Sequence, residues 1–354
     1  MRDVVAADRV GTDRADADGT SGEPGCSYPE PPPMTCYVPG SPPPAPPVVR
    51  CLRTPRRVTQ ISGTFYFRWH GGMFYWVSGG SILRLNGATT EYITSTGDVS
   101  GSFIEVDDEA VYYRVASDAG PFPLRRAKLD RSGSVNIVPD VRSRFLLDGD
   151  RIYFDSPDGK LVSTLARGGG SIDPVTGPPS VQRLFTVSGV LIDATHLYWN
   201  DGPDSDVTLM RVAKGTSNVE TVASHLPGPA VLLQGDSVLL VAEQKYILDM
   251  PKSGGCPLWL TTGTSSIVAD DKAVYWATTF GSDTADLLLY RVPRHGGATI
   301  EVLGVPSGLR GGLFGPAATV LTPTQVLIGT ETTSNQPGVW VLDRPYADSV
   351  SSRL

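Results

Sequence analysis

The chain has 354 residues, 39 of them glycine and 30 proline, and its 30 basic against 37 acidic side chains give a formal charge of −7. An acidic balance with no basic stripe argues against a nucleic-acid partner, whose phosphates demand clustered Lys and Arg. No run approaches the roughly eighteen apolar residues of a membrane helix, and so much glycine and proline suits short strands and tight turns.

Residues 1–25, rich in Asp, Gly and Thr, cannot bury enough apolar surface to fold alone. The opening MRDVVAADRVGTDRADADG is acidic and polar and offers no apolar core for a signal peptide. Asp16-Ala17-Asp18-Gly19 lacks the later acidic ligands of a calcium loop, so no metal is expected there. Residues 26–51, CSYPEPPPMTCYVPGSPPPAPPVVRC, favour a stiff extended spacer. Residues 1–56 are therefore read as a disordered, acidic and Pro-rich arm, either a stalk or an untethered tail.

From residue 57 the sequence repeats. Residues 266–303 hold four β-rich runs, SIVAD, AVYWA, LLLYRV and TIEVL, parted by Asp270-Asp271, a Gly/Ser/Asp loop at 281–286 and Gly296-Gly297. Four strands in about forty residues, repeated in series, is the pattern of a β-propeller blade. An apolar pair in the second strand marks each copy: Tyr75-Trp76, Tyr112-Tyr113, Tyr153-Phe154, Tyr198-Trp199, Leu239-Leu240, Tyr275-Trp276 and Leu327-Ile328. Five positions before each pair stand His70, Asp107, Asp148, Asp193, Gln234, Asp270 and Thr322. The third strands recur as ILRL, LRRAKL, LVSTL, LMRVAK, ILDMPK, LYRVPR and VWVLDR. These copies predict an all-β, seven-bladed β-propeller of four-stranded blades over residues 57–345, with 346–354 as a tail. The seventh copy lacks an outer strand, and residues 57–62, RVTQIS, resemble the outer runs at 182–186 and 220–224. We expect 57–62 to complete blade 7 and close the ring, which removes exposed edges and suits a monomer.

The VYW second strands after an Asp-bearing turn, with the RVPRHGG-type third strand, resemble the YWTD-type propellers of low-density-lipoprotein receptors and the TolB-like bacterial propellers. The resemblance covers residues 57 to about 345. It departs from the YWTD pattern, which has six blades and Thr-Asp after the aromatic pair, because Ala-Thr follows Tyr275-Trp276 and Asn-Asp follows Tyr198-Trp199. No Trp-Asp dipeptide ends the blades, unlike WD40 repeats. The resemblance implies an extracytoplasmic binding domain of an envelope or secreted protein, with the arm as its stalk. The missing apolar leader conflicts with that, and a start codon placed too far downstream would reconcile the two.

Several positions are candidates for chemistry. Asp107, Asp148, Asp193 and Asp270 sit between two strands, where a carboxylate accepts hydrogen bonds from amides two residues on, so we read them as turn makers. The aromatic pairs read as core between blades, and not as a glycan platform, with Trp259 and Trp340 more exposed. Seven positions before each pair, Arg68 and Glu105 break an aliphatic column of Leu146, Leu191, Leu232, Val268 and Val320. We expect them to form a salt bridge at the channel wall, since an unpaired buried charge is costly. Together with Arg144 they are also the only candidates for a catalytic channel mouth.

The loops between second and third strands are long in blades 2, 4, 6 and 7. They would give one face an acidic character through Asp118, Asp201, Asp204, Asp206, Asp283, Asp286 and Glu331, suited to a cation or a basic partner. There is no nucleophile elbow, no His-Glu-x-x-His, no phosphate loop and no Cys-x-x-Cys, and the histidines do not converge, so neither cofactor nor metal is expected. Cys26, Cys36, Cys51 and Cys256 allow three pairings. Cys26–Cys36 would close a small loop, and Cys51–Cys256 would staple the arm to the propeller, as suits an oxidising compartment. The first reading is thus a non-enzymatic propeller that binds a protein or a glycan. A lyase or lactonase built on Glu105 with Arg68 or Arg144 is the alternative, and a purely structural envelope protein is the third.

Overall fold

A computed structural model of the chain describes residues 36–38, 48–53, 55–59, 67–86, 89–96, 104–115, 121–141, 145–156, 161–175, 190–203, 205–242, 245–262, 267–279, 287–294, 299–303, 318–330 and 338–344. Every regular element among them is a β-strand, and the strands form seven separate sheets, the blades of a propeller ring. The inner strands are Phe67–His70, Ile104–Val106, Phe145–Asp148, Leu191–Ile192, Ala230–Gln234, Val268–Ala269 and Ala318–Leu321, in blade order. Each pairs antiparallel with the aromatic-bearing second strand of its blade. In all seven blades the residue seven positions before the anchor lies directly across from it, from Arg68 opposite Tyr75 to Val320 opposite Leu327.

The period-2 alternation of a strand decides what each anchor residue touches. Tyr75 packs with Ile104 and Tyr113 of blade 2, while the next residue, Trp76, packs with Leu327 and Val339 of blade 7. The same rule sends Tyr112 to blade 3 and Tyr153 to blade 4, with Tyr198 facing blade 5 and Leu239 blade 6. The core is therefore a set of apolar seams between blades. The six residues of the Tyr-Trp pairs are at most 2% exposed, which removes them as a glycan platform.

Arg56–Thr59 pairs antiparallel with Gly338–Asp343 and completes blade 7, so the ring is closed by a strand slightly earlier than the expected 57–62. Blade 3 ends on the short outer strand Asp173–Pro174, and the run at 182–186 lies outside the described residues.

The arm departs most from expectation. Val48–Arg53 runs parallel to Thr299–Leu303 and gives blade 6 a fifth strand. Further upstream, Cys36 bridges to Leu258 at the edge of blade 5 and forms a disulfide with Cys256, Cα to Cα 5.7 Å. Neither Cys26–Cys36 nor Cys51–Cys256 forms, because Cys36 is the residue laid beside the Cys256 turn; Cys51 falls within the blade 6 strand. The Tyr37 amide donates to the Pro257 carbonyl at 2.8 Å, and its ring is 6% exposed against Tyr246. Segments of the arm thus follow the outer rim from blade 5 to blade 6 to blade 7, so the span 1–56 is not disordered throughout. Trp259 and Trp340, expected to be exposed, are 7% and 6% exposed. Trp259 joins the apolar cluster that holds Tyr37, and Trp340 lies beneath the closing strand with Arg57 over its ring.

Candidate functional site

Two groups of polar residues compete for a functional role, one at the inner strands and one on the loops. At the inner strands Arg68 and Glu105 meet across the seam of blades 1 and 2. Arg68 Nε donates to Glu105 Oε2 at 2.9 Å, and its second guanidinium nitrogen donates to Oε1 at 2.5 Å. Facing inner strands bring them together, for the strands of blades 1 and 2 lie side by side as those of blades 2 and 3 do. The Arg68 side chain keeps 38% of its surface accessible and that of Glu105 keeps 17%. Burial there would lower the Arg68 pKa, and the adjacent Glu105 carboxylate outweighs it, so the pKa is raised and the guanidinium stays charged. Chemically this is a closed bidentate pair, both carboxylate oxygens being engaged. Arg144 lies outside the described residues.

The aspartate column forms a second ring. Asp107 Oδ1 accepts from the amides of Glu109 and Ala110 at 2.8 and 2.7 Å, and Asp193 and Asp270 make the same two contacts in their turns. The other oxygen reaches sideways. Lys214, Lys252 and Arg344, which end the third strands of blades 4, 5 and 7, bind Asp148, Asp193 and Asp270 of the blade before. Arg294 of blade 6 occupies the same place, donates to the Gln234 carbonyl at 3.1 Å and pairs with Asp249. Leu129 and Ala166 take this place in blades 2 and 3, as their turn amides show. There Asp107 Oδ2 accepts from Tyr112 at 2.6 Å instead, and burial followed by that bond pushes the phenol up to about 12.

The sequence signal for this basic column is that the third strands LMRVAK, ILDMPK, LYRVPR and VWVLDR each end on it, a feature that the strand pattern alone does not link to the aspartates. Its pairing carries a pH signature. Burial opposes ionisation of Asp193, but Lys252 and the Thr195 and His196 amides outweigh it and hold the carboxyl well below the usual range. A depressed carboxyl contributes stability that is present above its unfolded pKa of about 4 and lost as the pH falls through the folded value. Lys252→Met is therefore expected to lower stability by about 1–2 kcal/mol at pH 7. The gap to wild type should shrink at pH 3 in paired urea titrations; an equal gap at both would remove the charge pair as its cause.

On the loops, Asp201 is exposed and its carboxylate accepts from the Gly202 amide at 3.0 Å. Gly202 has φ +96°, and a Cβ there would lie 2.7 Å from the Asp206 carbonyl oxygen, so this tight loop requires glycine. Asp206 contacts His225 Nδ1 at 2.9 Å with both side chains largely exposed. Asp118, Asp204, Asp283, Asp286 and Glu331 lie outside the described residues. Among the described residues no cluster of His, Cys, Asp and Glu could hold a metal ion, and no helix is long and apolar enough to cross a membrane.

No family model matches the sequence, and no curated sequence matches it at a significant score. Solved structures do. The nidogen/laminin complex aligns at 15% identity over 68% of this chain and 94% of that one, TM-score 0.43. TolB from Acinetobacter baumannii aligns at 15% identity over 68% and 56%, TM-score 0.40. An oligogalacturonate lyase in complex with manganese aligns at 11% identity over 80% and 82%, TM-score 0.51. At such identity a match speaks for the fold alone. The chain is an all-β, seven-bladed β-propeller whose last blade is completed by its own N-terminal strand, Arg56–Thr59.

Proposed function

We propose that the chain is a non-enzymatic binding propeller, working outside the cytoplasm, that takes a protein or glycan partner on its acidic loop face. The observation that carries this reading is how the polar groups are spent. Glu105 gives both oxygens to Arg68, and Asp148, Asp193 and Asp270 are clasped by cations of the next blade. Asp201 and Asp206, in the loop between second and third strands, remain exposed. A carboxylate held bidentate by a guanidinium is a poor general base, which weighs against a lyase or lactonase built on Glu105. The Cys36–Cys256 bridge supports an oxidising compartment.

Wild type and an Asp201→Lys/Asp206→Lys variant, immobilised and offered a glycan panel and a set of basic proteins, test the reading. Binding by wild type that falls at least about tenfold in the variant supports it; binding indifferent to the reversal moves the partner surface elsewhere. The Glu105→Gln variant separates binder from enzyme. It is expected to lose about 1–3 kcal/mol of stability, because Arg68 loses its counter-charge, and to keep wild-type binding. Turnover of an offered oligosaccharide by wild type, abolished in Glu105→Gln, would replace the binder with the lyase.

A further inference from the structure

The attachment of the arm to blade 5 has a composition that a plain staple does not need. Cys36 is exposed and Cys256 half-buried, so the bridge lies within reach of a reductant. Between them and the rim sits Tyr37, whose ring is buried in the cluster formed by blades 4 and 5, 5.6 Å from the Tyr246 ring. A backbone hydrogen bond to Pro257 and a β-bridge to Leu258 accompany the ring. Val38, the next residue, is 56% exposed. The segment therefore docks as a short extended peptide does: a main-chain contact at a sheet edge plus one aromatic anchor in an apolar seat.

We propose that the rim at blades 4 and 5 is a docking site for an extended segment carrying an aromatic residue, filled by the chain's own Cys36–Val38 while the Cys36–Cys256 disulfide is intact and vacated when that bridge is reduced. Two electrons and two protons from a dithiol convert the bridge into two thiols, and the dithiol leaves as its own disulfide. The ring itself does not depend on this step. Val48–Arg53 stays on blade 6 and Arg56–Thr59 stays on blade 7, each held by its own ladder. After reduction the segment stays tethered through the chain to Val48, at an effective concentration of order millimolar. Docking of a short peptide with a Kd of order millimolar falls in the same range, so the open and closed forms become comparably populated. The opened rim offers the Tyr246 ring, the Pro257 carbonyl and the blade 5 edge to a segment of the same chemistry. This reading concerns the rim and stands independently of the loop face.

Hydrogen–deuterium exchange on the full-length protein, oxidised, reduced with a phosphine, and as the Cys36→Ser variant, tests it. Reduction and Cys36→Ser are expected to speed exchange at Tyr37 and along Leu258–Thr262 by at least about tenfold and to leave the strands of blades 1–3 unchanged. A synthetic peptide of residues 34–40 carrying Cys36→Ser, added to the reduced protein, is expected to restore protection, and the same peptide with Tyr37→Ala is not. Unchanged exchange on reduction would mean that the segment stays docked without its bridge and would overturn the gate. Faster exchange throughout the ring would make the bridge a fold staple. An opened rim that neither peptide protects would overturn the docking site.

Discussion

Trp276→Ala is expected to lower the free energy of unfolding by about 3–5 kcal/mol, the range for removing a large aromatic from a packed core. Trp276 is 1% exposed and stacks on Tyr290 at 5.4 Å. It is also the blade 6 residue that reaches back to Leu239, Ile247 and Leu260 of blade 5. Tyr290 shares the seam with it, and the aliphatic neighbours sit on strands whose hydrogen bonds fix them, so the space left by the indole does not close. Because a closed ring lets no blade unfold without its neighbours, the loss should appear in one cooperative urea transition with an unchanged slope. A loss below about 1 kcal/mol would show that the seams do not carry the ring's stability.

The seams were legible in sequence because each one repeats. An apolar pair seven times over, each with a turn residue five positions earlier, fixes strand register without any knowledge of partners, and the observed pairing keeps that register in all seven blades. What a repeat cannot reveal is contact between unlike places. Lys252 lies 59 positions from Asp193 and Arg344 lies 74 from Asp270, and each cation belongs to a third strand while its carboxylate belongs to a turn. The columns were legible singly; their meeting follows from how neighbouring blades lie beside one another. The arm was harder still. It has no strand periodicity, its prolines suggest a spacer, and its docking rests on a cysteine 220 residues away and on one tyrosine. The Arg68–Glu105 pair was legible because two opposite charges broke an aliphatic column in adjacent copies.

Arg294→Met is expected to cost about 3–5 kcal/mol, and Asp249→Leu combined with it to recover most of that loss. In one column of the third strands the charge reverses sign at blade 5. Opposite the first anchor residue the third strand carries Arg84, Arg126, Arg211 and Arg291 in blades 1, 2, 4 and 6, but Asp249 in blade 5, facing Leu239. A carboxylate on the same face as Leu239 and Ile247 has no local counter-ion on its own strand pair. Arg294 supplies one from blade 6, reaching both oxygens at 3.1 and 3.4 Å with the two side chains 8% and 12% exposed. Its other nitrogen takes the Gln234 carbonyl, which anchors the guanidinium between blades. Removing the arginine leaves a charge in an apolar seam, which is the expensive half of breaking a buried pair; removing both leaves only a packing change. Urea denaturation of the two single variants and the double variant reads the coupling directly. A double variant as unstable as Arg294→Met would mean that the arginine acts through Gln234 and the seam, and not through Asp249. A single variant within about 1 kcal/mol of wild type would mean that water already reaches the pair and screens it.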